Sequence, residues 1–494
     1  MFERHLMVAS AMAQYRNDNT YKTWNWITNT HLSKIHSLAP DARYFYDDGL
    51  WSGDTTGDPR YNDMMVAGFT YGWGTPAGQR VKAYIDRVVA AGGASLPDHW
   101  IPFLFLDPSA QAADFNTLPR AFHATGAGLV TMRSDWTGTA TWGSFAANRY
   151  LSYQGEQDPD AGQIQVYRRG KLLIDAAHTM FSYVGEARMT IFTNTYTIEG
   201  RNDPGPYTIA NNGQLNYTDA CPNPLGTNPI GVKAFVDGSG HAFTSGEFSA
   251  AYQNVPQNFP DPCGAVSVNW LSRSVLFVRP GLFAVYDQVK KAPTQPQVQP
   301  IMHLWLPNVV PTLVGGDPKK TQLDNGTGGR LQIASVMPAA ATVSVVATPR
   351  NNTQGPGVNS YHWTATLPLP SASYQNFLTV LRASDTASAF AFPTTTGITG
   401  TNANGTLVTG LAAAESATPV AMVFAENGVG SSAVPASLSY AVPSASTQHF
   451  VAKLKPATSY VVGSTVNAGT RTVTVTEHAG GTLSDAGGVL VFTL

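Results

Sequence analysis

The chain has 494 residues, 13% of them charged, a formal net charge of −2, and 46 glycines and 33 prolines. So small a net charge gives no field that would recruit nucleic acid or an anionic membrane, and no run reaches the roughly 18 apolar residues of a membrane span. Sparse charge with abundant Gly, Pro, Ser, Thr and Ala suits a mostly β secreted protein of roughly two to four domains better than a helical cytosolic one.

Residues 1 to about 92 read as helical. "FERHLMVASAMAQY", "YKTWNWITNTHLSKIHSL", "RYNDMMVAGFTYGW" and "PAGQRVKAYIDRVVAAGG" each put apolar residues at three- and four-residue spacing, and the last ends on a glycine stop. The first carries a weak signal-peptide pattern but reads better as a helix, as if the chain began inside a domain. After "LPDHWIPFLFLDP" the character changes. From about Thr117 the chain becomes short strand-like runs between Gly, Asn, Asp and Pro turns. These include "GLVTMRSDW", "GQIQVYRRGKLLIDAA", "TIFTNTYTIEG", "RSVLFVRPGLFAVYDQV" and "NFLTVLRAS". "RRG" and "RPG" read as hairpin connections, and so many strands imply stacked antiparallel sheets. A Ser/Ala/Thr/Gly-rich passage near 385–405 suggests a boundary before a further strand-rich tail. Cys221 and Cys263 lie in Pro- and Asp-rich loop sequence. Bonded together they would close a loop of about 43 residues, contributing roughly 4 kcal/mol and implying an oxidising compartment; two unpaired thiols are the alternative.

One stretch gathers acid in this charge-poor chain: "GEQDPDAGQIQVYRRGKLLIDAAH", with Glu156, Asp158, Asp160 and Asp175. Together with "FLFLDP…LPRAFHATGAGLVTMRSDW", "TNTYTIEG", "NFLTVLRASD" and "TQHFVAKLKPATSYVV", in that order, it resembles the heparinase II/III-like polysaccharide lyases. The resemblance covers most of the chain and is best from Trp100 to Asp203. It implies an α+β, mostly β fold: a partial (α/α) toroid over 1–115, an antiparallel multi-sheet β-sandwich over 116–385, and a C-terminal β-sheet domain over 386–494. A partner chain or a further segment would complete the helical part.

In that family the hairpin reads H-x-H-A-D-x-G-S-F, and a later strand carries H-N-T. Aligned on "DAG", Glu156 replaces the first histidine, which lies at the cleft, and Asp158 the second. Asp175 takes the strand-end aspartate, and Thr193 replaces the histidine of H-N-T while Asn194 and Thr195 are retained. The resemblance thus places a metal set at Asp158, Asp175 and Thr193, all oxygen donors where the family has imidazoles. Such a set suits calcium or another divalent hard cation, or none, rather than zinc. The family's catalytic tyrosine falls on Tyr61 in "GDPRY", with Tyr46 and then Tyr44 as seconds. An upstream histidine falls on His5, although Arg4 stands where the family has Asn. The implied chemistry is β-elimination on an acidic, uronate-bearing polysaccharide in a secreted or periplasmic setting. Glu156 would repel a uronate unless protonated, so it is read as a general acid whose pKa burial raises. Arg120, Arg133, Arg149, Arg188 and Arg201 are near in sequence to offset its charge, Arg133 reading as structural. His123 and His178 read as ordinary histidines. Two other readings stay open: a carbohydrate-binding or structural protein that has lost activity, and a glycoside hydrolase pairing Glu156 with Asp158 or Asp160.

Overall fold

Four amphipathic stretches at the start of the chain become four helices, and the reason is visible in α4. Thr75 caps it by accepting from the Gly78 amide at 3.1 Å, and Pro76 sits in the first turn. Val81, Tyr84, Ile85 and Val88 then fall on one buried face. The helices are α1 (Phe2–Arg16), α2 (Asn25–Ser37), α3 (Asn62–Tyr71), α4 (Pro76–Ala90) and α5 (Trp100–Phe105). α5 was not expected; its last carbonyl, of Phe105, accepts from Trp73 Nε1 at 3.1 Å. α1 meets α3 through Ser10 and Thr70, whose hydroxyls lie 2.7 Å apart, and a Lys34–Asp63 ion pair of 2.7 Å joins α2 to α3. This computed structural model describes residues 2–20, 24–42, 62–92, 100–148, 160–174, 190–200, 213–214, 230–252, 267–349, 359–367, 373–388, 395–402, 407–413, 419–425, 434–445 and 447–494.

The rest is mostly β. A first sheet runs as a meander of β1 (Ala121–Ala124), β2 (Leu129–Arg133), β3 (Trp142–Ala146), β4 (Ile164–Tyr167) and β5 (Lys171–Leu173). A second sheet has eight strands, with Val268–Val278 and Leu282–Lys291 near its centre, paired through the expected "RPG" connection. A third sheet joins β6 (Tyr196–Glu199) to strands Gln299–Leu306, Asn359–Thr366 and Thr342–Pro349. A fourth has nine strands, drawn from Thr395 to Thr493. It departs from the expected antiparallel rule once: Val420–Phe424 pairs parallel with Gln448–Ala452, because the intervening Ser437–Pro443 strand joins the sheet elsewhere.

The second sheet is the middle layer. One face, with Val275, Phe277, Phe283 and Val285, shares a core with Val130 and Phe145 of the first sheet and Tyr196 and Leu304 of the third. The other face, with Leu276 and Tyr286, packs on Leu411, Met422 and Phe424 of the fourth. Strands covered on both faces lose the in–out alternation, which is why they read as continuous apolar runs.

The first sheet is also covered on both faces. Val130 and Met132 point into the sandwich core, and Arg133 points at the helices. Its guanidinium donates to His36 O at 3.0 Å and Leu38 O at 2.9 Å, and Trp142 Nε1 donates to His36 O at 2.9 Å. Two sheet side chains therefore satisfy carbonyls at the C-terminus of α2, where the helix dipole also favours a cation. Arg133, expected to be structural, is.

Candidate functional site

The acidic hairpin is held by a buried polar scaffold. Its "RRG" turn puts Arg169 and Gly170 at positive φ (48° and 118°), with Arg168 N donating to Gly170 O at 3.0 Å. A bulge sets Val166 opposite Leu173 and Tyr167 opposite Lys171. This moves the partner one place from the register expected of a hairpin centred on Arg169.

Upstream, the chain turns sharply at "DAGQ", as Gly162 in the sequence allows. Gln163 N donates to Asp160 O at 2.8 Å, and Gly162 has a φ of 91°. A Cβ there would meet Phe248 at 2.4 Å and Thr195 Oγ1 at 2.7 Å, so only glycine fits. Ala161 is gripped from both sides: its amide donates to Gln214 Oε1 at 3.0 Å, and its carbonyl accepts from Gln214 Nε2 and Thr195 Oγ1 at 2.6 and 2.8 Å.

Asn194, one of the two retained residues of the "TNT" motif, is a three-way clamp. Its amide nitrogen donates to Ile164 O and Ile174 O, both at 2.7 Å, and its side-chain oxygen accepts from Trp305 N at 2.6 Å. It thus ties both arms of the hairpin to the third sheet. Beneath it, the fully buried Arg273 makes a bidentate pair with Asp287 (2.7 and 3.1 Å), and also donates to Gly162 O and Asn194 O. Tyr196 Oη donates to the same Asp287 at 2.9 Å, and Tyr252 Oη to Tyr196 O at 2.6 Å. Burial drives the Tyr196 phenol well above its ordinary range, with Asp287 adding to the effect, and burial raises Tyr252 to about 12. Neither serves as a base; both are framework.

Of the residues the family resemblance singled out, Thr193 lies within this framework. It is fully buried, and its hydroxyl donates to Thr190 O at 2.8 Å. A neutral oxygen so engaged does not fit zinc, whose sites are built mainly from nitrogen and sulfur donors. Asp160 is buried in the turn itself. His5 lies on α1, which packs against α3; that helix begins one residue after Tyr61. Tyr61, Tyr46, Tyr44, Glu156, Asp158 and Asp175 lie outside the described residues, as do His178, Cys221, Cys263, Arg149, Arg188 and Arg201. Among the described residues no group of three or more His, Cys, Asp or Glu side chains could hold a metal. Arg120 is turned to the second sheet, its amide donating to Asp237 at 2.8 Å, and His123 lies 5.7 Å from the Phe235 ring.

The sequence reading missed Arg273, Asp287 and Gln214. A signal existed for the first two: they stand directly opposite each other across the "RPG" hairpin, equidistant from Pro280. Gln214 has none, since its partners lie far away in sequence. A second buried titratable pair, also missed, lies on the third sheet. His303 Nδ1 is 2.8 Å from His362 Nε2, and His303 Nε2 is 2.7 Å from Thr197 Oγ1. Burial keeps both imidazoles below their usual range, His362 at about 4.

No known family and no curated protein matches the chain in sequence. Solved structures match it in fold. A mutant of the heparan sulfate lyase HepC from Pedobacter heparinus superposes with a TM-score of 0.57 at 16% identity, over 85% of this chain and 56% of that one. Heparinase III superposes at 0.55 and 12% identity, over 85% and 59%. The chain therefore shares the fold of these lyases while spanning under two thirds of their length. Among the described residues no helix is long and apolar enough to cross a membrane.

Proposed function

We propose that the protein is a polysaccharide lyase that cleaves an acidic, uronate-bearing polymer by β-elimination, outside the cytoplasm. The observation that supports this is the shared fold with the heparan sulfate lyase HepC and heparinase III. In this reading residues 1–115 supply part of an (α/α) toroid, completed by a partner chain or a further segment. Residues 116–385 supply the sandwich wall, and 386–494 a C-terminal β domain. Tyr61, with Tyr46 as second, takes the proton beside the sugar carboxylate. A phenol near its ordinary pKa of about 10 needs positive neighbours to do so, and His5 and the arginines near the hairpin are the candidates. Glu156, in its protonated form, gives a proton to the leaving oxygen. Asp158, Asp175 and Thr193 are the set a hard cation such as calcium would use.

The test is incubation with a panel of uronate polysaccharides, following the near-ultraviolet absorbance of the unsaturated product. We expect absorbance from the wild type and none from Tyr61→Phe. Reducing ends without absorbance would point instead to a hydrolase and overturn the proposal. A second reading, a binding protein descended from a lyase, is favoured by Thr193, whose hydroxyl is engaged by Thr190 O where the family has an imidazole. Binding without any product would select it.

A further inference from the structure

A sheet edge with open backbone groups is a template for another strand, and folded chains guard such edges with charge, bulges, shortness or a cover. Among the described residues most edges are guarded. The second sheet ends at Gly231–Asp237, which is bulged between Val232 and Ala234, carries Lys233, and has Asp237 occupied by the amides of Arg120 and Ala121. Its other end, Thr312–Leu313, is two residues long. β5 is three residues long and carries Lys171, and the chain after it goes on to pair, Ile174 N donating to Trp305 O at 2.9 Å. In the fourth sheet Ser459–Asn467 is shielded at one end by Thr482–Leu483 and interrupted by Gly463.

The third sheet ends differently. Its edge strand, Thr342–Pro349, pairs with Asn359–Thr366 over eight residues without a bulge. The sequence TVSVVATP holds no charged residue, and no proline before its last position. Among the described residues no backbone group of this strand bonds anything beyond its one partner strand. Val343 is buried in the sandwich core with Val345 packed beside it, while Thr342, Ser344 and Val346 are exposed, Val346 by 54%. Alternation therefore puts Thr342, Ser344, Val346 and Thr348 on the outer face, and Val343, Val345 and Ala347 on the core side.

The stretch from Thr342 to Thr348 is also complementary to itself. When a strand pairs antiparallel with its own copy about a twofold axis, opposite residues must share a sheet face, so the axis has to pass beside a residue and not between two. With the axis at Val345, the core side sets Val345 against its own copy and Val343 against Ala347 of the second copy. The outer side sets Val346 against Ser344 and Thr342 against Thr348. Apolar groups meet apolar groups beneath, hydroxyls meet at the ends, and no charge faces a like charge. Pro349, which has no N–H to offer, falls just outside these seven residues. We propose that Thr342–Pro349 is the dimer edge of this protein. It pairs with a second copy, so that two four-stranded third sheets become one of eight strands.

The experiment is sedimentation equilibrium of the full chain over a concentration series, for the wild type and two double variants, each first checked by its melting curve. In Ser344→Glu with Val346→Glu, every new glutamate faces a glutamate of the second copy. In Ser344→Glu with Val346→Lys, every glutamate faces a lysine. Both variants change the same two exposed positions, so the difference between them reads the pairing and its register and not the cost of adding charge. We expect a wild-type dimer, a dissociation constant raised about tenfold in the first variant, and one close to wild type in the second. A wild type that stays monomeric, a dimer indifferent to both variants, or two variants equally weakened overturns the proposal. Assembly beyond the dimer also overturns it, since a twofold pairing closes. A wild-type monomer whose edge amides gain hydrogen-exchange protection from a synthetic TVSVVAT peptide overturns it in favour of a foreign strand.

Discussion

The molecule has two joints, and they are made of different materials. The second and fourth sheets meet through a dry layer in which Leu276, Tyr286, Met422, Phe424 and Phe450 interlock, Tyr286 and Phe424 stacking at 4.8 Å. The helical layer meets the first sheet through directed bonds instead: Arg133 and Trp142 to helix carbonyls, Tyr167 to Asp41, and Arg87 to Trp136 O. The apolar joint is mostly non-directional packing, with the His241–Asp485 and Lys453–Gln288 bonds beside it. The directed one fixes orientation while leaving polar groups such as the Ser144 hydroxyl without a hydrogen-bond partner among the described residues. A joint of the second kind can border a cleft, because a ligand or water can take up bonds the protein leaves open.

Three measurements test that contrast. The largest effect belongs to the dry joint. Phe424→Ala should cost about 3–5 kcal/mol in a denaturant melt, since a fully buried ring leaves a cavity between two rigid sheets; a loss below about 1 kcal/mol would mean that the joint is not packed as described. Arg133→Met should cost about 2 kcal/mol by removing charge-assisted bonds to His36 O and Leu38 O. Burial already pulls this guanidinium's pKa down to about 9, with Arg87 pushing the same way. Hydrogen exchange should then quicken in α2 and leave the fourth sheet unchanged; uniform quickening would remove the distinction between the joints.

The smallest effect at neutral pH is at His36, and it emerges in acid. This imidazole stacks on Phe122 at 4.8 Å and sits edge-on to Trp136, and burial holds its pKa well below 6.5, with Arg133 adding to the shift. The unfolded chain takes up a proton near pH 6.5 while the folded one does not, so the contribution is full above that pH and is lost as pH falls below it. His36→Phe should be close to neutral at pH 7 and should spare about 1–2 kcal/mol of the stability lost between about pH 6.5 and 5. An identical acid profile in the variant would show that His36 takes up its proton in the folded state.

Periodicity made α1 to α4 legible, although α3 buries six consecutive residues, Asp63 to Gly68, and not one face alone. It missed α5, whose six residues contain Pro102 and too few turns to show a period. The "RRG" and "RPG" turns gave their hairpins directly. The parallel partner of Val420–Phe424 was not readable, since strand order within a nine-stranded sheet is set by packing between distant segments and not by local pattern. At the site, the "DAG" turn and the "TNT" strand stood out as a frame, and they prove to be joined by Thr195 and Asn194. What holds the frame from below, Arg273 and Gln214, is polar but lies inside apolar or loop-like sequence. Only the tertiary fold brings those groups within bonding distance.

The Asn194 clamp also bears on the order in which the protein assembles. Its two donors reach Ile164 and Ile174, 30 and 20 residues back along the chain, while its acceptor waits for the amide of Trp305, 111 residues ahead. Arg273, which braces the same turn, lies between. A ribosome delivers residues from the N-terminus at about 5–20 per second. The acidic hairpin is therefore made several seconds before the strand that locks it, and until then Asn194 has one unmet bond in a segment meant to be dry. The hairpin is an early product that matures late, and the sheet edge it presents in that interval is where a chaperone or a wrong partner would find this chain.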